Sequence, residues 1–556
     1  LFLTKIPPKL QIIPLGGLGE SGKNMMVIRY GDDIIVIDSG LMFPGEDMPG
    51  IDSVIPDISY LIDNQDLVRA IILTHGHEAH IGALPYVLRK LDVPVYGTRM
   101  TLGILAGRLK KNKLIHSTLV PVEPGDQRQI GLFQVGFIRV SHSIADNVAV
   151  SVGTPAGTIV YTGDFKLDQT PVDGKVTDFY RFADLGDQGV LVLLSDSTNA
   201  EKPGYTRSEK TVGRTFDEIF RMARARIIIA TFASHIHRIQ QVFDVACKYQ
   251  RKVALLGYNM VEVVKVALEL GYLNVPDGVL IEMDEIGDYP VSGIVILTVG
   301  SQADPLAALS QRMMPDHRKM DVIPGDTIVI STAPIPGNEK LLARTIDSLL
   351  RQGADVVYGT ISKVDVSGHA SQEELKLMHN LIRPKFFVPV HGEYRHLKRH
   401  AQLAEEVGMP KQNIFIVENG QVLEFSQDSA AIAGKITSGD ILIDGFGIGD
   451  VGNIVLRDRK QLSQDGILIV VITMDKQSET VVSGPDIVSR GFVYVRESEQ
   501  LMEEAKGKVK QALEIFEKSH ITEWASIKNT VRDILGKYLY ERTRRRPVIL
   551  PIIMEV

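Results

Sequence analysis

Short apolar runs broken by Gly, Asp, Asn and Pro dominate the first third of the chain, a pattern that predicts strands. LQIIPLGG is followed by MMVIRYGDDIIVIDSG, where Gly31-Asp32-Asp33 separates two apolar runs and predicts an antiparallel hairpin. VRAIILTHGHEAHIGALPYVLRKL then reads as a strand at Ile71 to Leu73, a His-rich turn and an amphipathic helix, with VPVYGT as the next strand. VGFIRVSHSI, AVSVGTPAGTIVYTGDF and GVLVLLSDSTNA continue as buried strands ending in polar loops, where binding and catalytic residues tend to sit.

From about Ser208 the period changes. TVGRTFDEIFRMARA, RIIIATFAS, RIQQVFDVACKYQ, KVALLG and MVEVVKVALELGY alternate helix with strand, which predicts a parallel α/β region. QEELKLMHNLI, KFFVPV and HGEYRH return to helix, strand and a His-bearing loop. The stretch from Asp428 to about Asp450, rich in Ser and Gly, reads as a connector. Two β runs (GILIVVITM, GFVYVRE), two helices (around Met502–Lys518 and Trp524–Leu539) and a β end (PVILPIIMEV) predict a small α+β domain. The expected partition is an α/β core in two pieces, 1–207 and 371–428, around an insert at 208–370, then a linker at 429–450 and a terminal domain at 451–556.

Composition narrows the setting. The 556 residues favour two to four domains, and 44% hydrophobic with 23% charged residues is ordinary globular composition. A net charge of −7 gives no general attraction to a polyanion, so nucleic-acid binding would need a local basic groove. The single cysteine, Cys247, excludes an intrachain disulfide or a Cys-rich zinc module and fits a reducing, cytoplasmic setting. No membrane segment is expected, since no run of about 18 uncharged apolar residues occurs.

Two motifs compete for the chemistry. Gly17 to Lys23 fits the spacing of a phosphate-binding loop, but Asn24 stands where a magnesium-binding Ser or Thr belongs and a β run follows, so a tight glycine turn beneath an active site is the better reading. The stronger constellation is His75, His77 and His80, joined by His142 in VSHSIADN, Asp164 in YTGDF and His391 in VPVHGEY. Imidazoles and a carboxylate at strand-end turns are the donors that borderline cations such as zinc or manganese take.

These residues resemble the metallo-β-lactamase superfamily, whose loop reads His-x-His-x-Asp-His followed by separate His, Asp and His ligands. The resemblance implies that His75, His77 and His142 hold one ion, that His80 and His391 hold the other, and that Asp164 bridges them. Two zinc ions are implied, with manganese as the alternative. The motif's aspartate is Ala79 here, whose methyl cannot ligate, so the second site is expected to be weakened and hydrolysis impaired. Because every other ligand remains, an introduced replacement is the expected origin rather than slow decay of the site.

The sequence separation of 227 between Asp164 and His391 is too long for one connection, so an inserted domain is required. PLGGLGESGKN, SDSTNAEKPGYTRSE, TFASHIHRIQQ, LTVGSQADPLAALS, VSGHASQEELKLM and VPVHGEYRHL resemble the ribonuclease J family, as do GDVGNIVLRDRK, SGPDIVSRGFVYVRE and RRRPVILPIIMEV. The resemblance implies a metallo-β-lactamase αββα sandwich split by a β-CASP α/β insert, with a small α+β C-terminal domain. It implies 5′→3′ exonuclease action favouring RNA with a 5′-monophosphate, together with endonuclease action. Asp196 and His369 are implied as the family's acid and histidine for proton transfer. Ser234, His235, His237, Arg238, Asp365, Val366, Ser367, Gly368, His369 and Ser371 are implied as a phosphate-binding pocket.

Asp52 and Asp444 are candidates for a structural calcium that the family sometimes carries. The terminal domain is expected to support a homodimer or homotetramer. The basic runs at Arg108, Lys110, Lys111 and Lys113 and at Arg542, Arg544, Arg545 and Arg546 read first as solvated faces. A different class of function, a non-catalytic RNA-binding or scaffolding subunit paired with an active paralogue, is the alternative. A small-molecule hydrolase would have no use for the insert or the terminal domain.

Overall fold

The computed structural model describes residues 9–45, 47–114, 116–299, 321–332, 339–359, 362–445, 447–475, 480–493, 498–519 and 524–556. The chain divides into two compact units. One ends its first piece at Phe43 and resumes over Val54–Ile441, and the other consists of Pro44–Ser53 and Leu442–Val556.

In the first unit β1 (Leu10–Gly16), β2 (Met25–Tyr30) and β3 (Asp33–Ile37) are antiparallel neighbours. The expected hairpin is present: Tyr30 faces Asp33, and Gly31 supplies the positive φ (62°) that the turn requires. Next to β3, β4 (Val68–Ile72), β5 (Val95–Thr98) and β6 (Leu119–Val122) are added in parallel. α1 (Arg99–Lys111) follows β5. A second sheet starts with β7 (Gln127–Ile130), β8 (Phe133–Arg139), β9 (Val148–Thr154) and β10 (Gly157–Tyr161), all antiparallel. α2 (Phe179–Gln188) then leads to β11 (Val190–Asp196), parallel to β10.

The insert begins with α3 (Lys210–Met222) and builds a sheet of its own from β12 (Ile227–Thr231), β13 (Lys252–Leu256), β14 (Leu280–Ile281), β15 (Ile294–Val299), β16 (Thr327–Ile330) and β17 (Asp355–Tyr358). The order is β14-β13-β15-β12-β16-β17 and every pairing is parallel, with α4 (Ile236–Lys248), α5 (Tyr258–Glu269) and α6 (Glu339–Arg351) as crossovers. Much of LTVGSQADPLAALS lies outside the described residues.

After α7 (Gln372–Ile382) the chain returns as β18 (Phe386–Val390), which pairs in parallel with β11 and brings Val390 level with Asp196. α8 (Tyr394–Glu406) and β19 (Gln421–Phe425) follow, and β19 pairs with β1. β20 (Ala430–Lys435) forms the edge of the first sheet. The sequence reads as a connector there because AAIAGK has little β propensity and its residues stay largely exposed, as an edge strand allows.

Apolar side chains of both sheets meet in one core, with Ile12, Ile28 and Ile35 from the first and Phe137, Val150 and Leu194 from the second. The opposite face of the second sheet packs Val160, Leu193 and Phe387 against Phe182, Met378 and Leu403 of α2, α7 and α8. Each such buried side chain contributes roughly 1.5–3 kcal/mol. Helix, two sheets and helix therefore stack around a split core, and strands buried on both faces read as unbroken apolar runs.

In the second unit β21 (Ile467–Met474) lies between β22 (Val481–Arg490, antiparallel) and β23 (Val548–Glu555, parallel). α9 (Glu499–Ser519) and α10 (Trp524–Thr543) cover one face. The partner of β21 is thus VVSGPDIVSR rather than GFVYVRE, whose Tyr494–Glu497 lie outside the described residues. A proline is tolerated because β22 is an edge strand.

Candidate metal centre

The His-rich turn starts where β4 ends. The long helix expected after it is two single turns, Glu78–Ile81 and Leu84–Val87. The carbonyls of Glu78, Ala79 and His80 accept from the backbone amides of Leu41, Asn24 and Ser39, and a Cβ at Gly82 would meet Leu41 Cγ at 2.4 Å. Tertiary hydrogen bonds and a close approach therefore override the helical pattern. They anchor the segment so that His75, His77 and His80 point inward with His142, Asp164 and His391.

His75 Nε2 and His142 Nε2 lie 3.1 and 3.2 Å from His77 Nδ1. His80 Nε2 is 3.2 Å from Asp164 Oδ2, and His391 Nδ1 is 2.7 Å from Asp164 Oδ1. Two overlapping donor groups result, His75/His77/His142/Asp164 and His80/Asp164/His391, each with its ligand atoms within 4.8 Å of one another. A third group, Asp164/Asp196/His369, adjoins them.

Electrostatics separates these imidazoles. Burial is the main force holding His75 and His142 well below the usual imidazole value and His77 down to about 3, so all three are neutral donors. Burial pulls His80 the same way, but Asp164 and Asp38 overcome it and raise His80 to about 10. A cation bound there has to displace that proton. Burial alone would raise Asp164, yet His80 and His369, with hydrogen bonds from His391 and His80, hold it well below the carboxylate range. Three neutral imidazole nitrogens at 3.1–3.2 Å, facing an ionised carboxylate, form a donor set that fits a divalent cation.

Several supporting residues carry no signal in the ligand motif. Asp38, at positive φ (63°), accepts from His80 Nδ1 at 2.8 Å and from Thr74 Oγ1 at 2.9 Å. Tyr161 donates to His391 Nε2 at 2.6 Å, and the Gly368 carbonyl accepts from His142 Nδ1 at 2.7 Å. Such outer partners fix ring orientation and tautomer. A trace of them is visible in retrospect, because Asp38 and Tyr161 each end a strand-like run. The glycine turn does lie beneath this centre: Lys23 pairs with Glu20 (3.1 Å) and Asp440 rather than facing a phosphate.

The model for the metallo-beta-lactamase superfamily matches residues 18–204, and that for the ribonuclease J beta-CASP domain matches 224–349. The Zn-dependent metallo-hydrolase RNA specificity domain matches 353–417, and the ribonuclease J C-terminal domain matches 454–556. Ribonuclease J2 of Bacillus subtilis is 49% identical over 550 residues, covering 98% of this chain and 99% of that protein. The chain belongs to the ribonuclease J family. Ribonuclease J 1 of Streptococcus pyogenes is 44% identical over 99% of this chain and 98% of its own length. Ribonuclease J 2 of Staphylococcus aureus is 42% identical over 100% of both. A protein of unknown function from Enterococcus faecalis shares the fold over 75% of this chain and 100% of its own, at a TM-score of 0.54 and 18% identity. As a ribonuclease J family member with a metallo-hydrolase domain, the chain is a metal-dependent ribonuclease.

Within this ribonuclease J fold, His369 Nδ1 meets Asp196 Oδ2 at 2.7 Å. Asp196 is buried and also accepts from Thr198, while the His369 ring keeps some exposure beside the donor cluster. Burial opposes the proton on His369, but Asp196 and Asp164 raise its pKa.

The phosphate-pocket set needs correction. Arg238 is fully buried: its guanidinium is held by Glu209 (2.8 and 3.1 Å), Asp365 (2.6 Å), the Ser331 carbonyl (2.6 Å) and the Val366 carbonyl (3.4 Å). A buried guanidinium has to be paired, and here those partners leave no donor for RNA, so Arg238 and Asp365 brace the loop that carries His369. Ser371 caps α7 in a capping box with Glu374. Ser367 accepts from Asn199 at 2.7 Å, and Gly368 serves His142 through its carbonyl. His235 is buried with Nδ1 unpartnered, whereas Ser234 and His237 are half-buried.

The calcium candidates have other uses. The Asp444 carboxylate pairs with Arg459, and Asp52 accepts from the Gly445 amide at 2.8 Å. A guanidinium occupies the side where a cation would need oxygens, and among the described residues no group of three or more potential ligands forms there. Arg108, in the first basic run, is paired with Glu78.

Proposed function

We propose that the chain hydrolyses RNA phosphodiesters by two-metal chemistry, as a 5′→3′ exonuclease preferring 5′-monophosphate ends and as an endonuclease in RNA decay and maturation, with activity reduced by Ala79. The observation that carries this reading is the convergence of five histidines, four buried and His77 half-buried, on Asp164. His75, His77 and His142 would hold one ion, His80 and His391 the second, and Asp164 would bridge them, with zinc as the resident metal and manganese the alternative. Such a pair would polarise the scissile phosphate and activate water for in-line attack. Asp196 orients His369 through Nδ1, which leaves Nε2 to donate a proton to the departing oxygen.

Self-association through the C-terminal domain, as a dimer or tetramer, fits β23, where Leu550, Ile552 and Met554 alternate on a face left 38–47% exposed. No helix among the described residues is long and apolar enough to cross a membrane, which is compatible with the cytoplasmic site of action we propose.

The test is hydrolysis of 5′-monophosphorylated against 5′-triphosphorylated RNA with zinc or manganese, for the chain and for Ala79→Asp. A faster Ala79→Asp enzyme with 5′-monophosphate preference supports the reading. No cleavage by either form would favour the scaffolding alternative.

A further inference from the structure

Position 79 adjoins a side chain whose hydrogen bonds do not add up. The Asn24 amide donates to the Ala79 carbonyl at 3.0 Å, and the Asn24 carbonyl accepts from Gly40 at 2.9 Å, so residues 24 and 79 are fixed side by side. The Asn24 carboxamide reaches the second half of the centre, where Nδ2 lies 3.0 Å from His80 Nε2. That same Nε2 is 3.2 Å from Asp164 Oδ2, while His80 Nδ1 is 2.8 Å from Asp38 Oδ2.

These roles conflict. If Nε2 carries a hydrogen for Asp164, it confronts the Asn24 amino group, which can only donate. If it carries none, its lone pair confronts an ionised carboxylate. At the other end of the same carboxamide, Oδ1 is buried and has no partner. It lies against Gly17, where a Cβ would meet it at 2.2 Å, so the glycine turn leaves room for the carboxamide and for nothing larger. Rotating the carboxamide half a turn brings its oxygen to His80 Nε2, where it can accept a hydrogen from that nitrogen or share a cation with it.

We propose that Asn24 is a ligand of the second cation, its carboxamide oxygen supplying a donor on the side where Ala79 offers only a methyl group. A neutral oxygen is a weaker donor than a carboxylate and suits a hard cation such as manganese better than zinc. The second site is thereby retained at low affinity. This inference rests on the two-cation reading of the centre.

Manganese titration of the full-length chain, followed by calorimetry and by the electron paramagnetic resonance signal of free manganese, tests it without an activity assay. The chain should take up one manganese tightly and a second weakly. Asn24→Leu should lose the second, and Asn24→Asp should bind it at least about tenfold more tightly. A single bound manganese in the unaltered chain, unchanged binding in Asn24→Leu, or no tightening in Asn24→Asp would overturn the assignment. Asn24→Asp decides the matter if Asn24→Leu does not fold. Ala79→Asp distinguishes the underlying reading: if it binds no tight second manganese, the two-cation reading fails, and if it does while Asn24 variants change nothing, only the Asn24 assignment fails.

Discussion

Two groups of buried histidines lie on the same core, and they do opposite things. Around Asp164, rings converge nitrogen to nitrogen and reach carboxylates, hydroxyls and carbonyls. His379 and His400 instead meet edge to face at 5.4 Å, each also edge-on to Phe387, with both Nε2 atoms unpartnered. Burial alone lowers His379 to about 4, whereas His80, equally buried, is raised to about 10 by its carboxylates. Burial therefore does not mark a ligand. His400 Nδ1 also meets a hydroxyl, Ser197 Oγ at 3.0 Å, so what distinguishes the first group is the carboxylate and the neighbouring imidazoles aimed at the ring nitrogens.

The largest effect is expected where a ligand is removed. His142→Ala should lower RNA hydrolysis on the order of 10³-fold, about 4 kcal/mol of transition-state stabilisation, with loss of bound metal by elemental analysis. His379→Met, on the apolar side, should leave both nearly unchanged.

His379 should show itself in acid. Its folded pKa lies below the unfolded value of 6.5, so the unfolded chain binds the extra proton first. The stability it contributes is intact above pH 6.5 and is lost as pH falls toward 4, by about 3 kcal/mol in total. Urea titrations across that window should show a shallower acid limb in His379→Met, and an unchanged limb would remove the contrast.

Smaller effects sharpen the comparison from within the polar group. Asp38→Asn keeps the shape but weakens the acceptor for His80, and should cost about 10- to 100-fold in cation affinity, read by calorimetry. Gly368→Ala would place a Cβ 2.6 Å from His142 Cε1 and 2.7 Å from Nδ1, displacing that ring, and should weaken the first cation about tenfold.

The sequence exposed the donors but not their supports. His75, His77 and His80 share one turn, and His142, Asp164 and His391 end separate apolar runs, so spacing alone suggested the centre. The change of period near Ser208 likewise announced the parallel insert. Arg238 looks like a phosphate ligand in sequence because its acceptors come from Glu209, Ser331, Asp365 and Val366, which no local pattern connects to it. The helix after the His-rich turn failed because its carbonyls are claimed by Asn24, Ser39 and Leu41. Pro44–Ser53 belongs with the C-terminal unit although it interrupts the core in sequence, and nothing local signals that partnership.

The pairing of β11 with β18 also governs when the enzyme can exist. Asp196 and His391 emerge from adjacent strand ends, yet the ribosome makes one long before the other, and β1 waits for β19 to complete its sheet. A nascent chain therefore carries most of its donors through the synthesis of the whole insert without a centre to join. Translation products ending before His391 lack both β18 and one donor of the centre, so they are expected to hydrolyse no RNA until the core has closed behind its own detour.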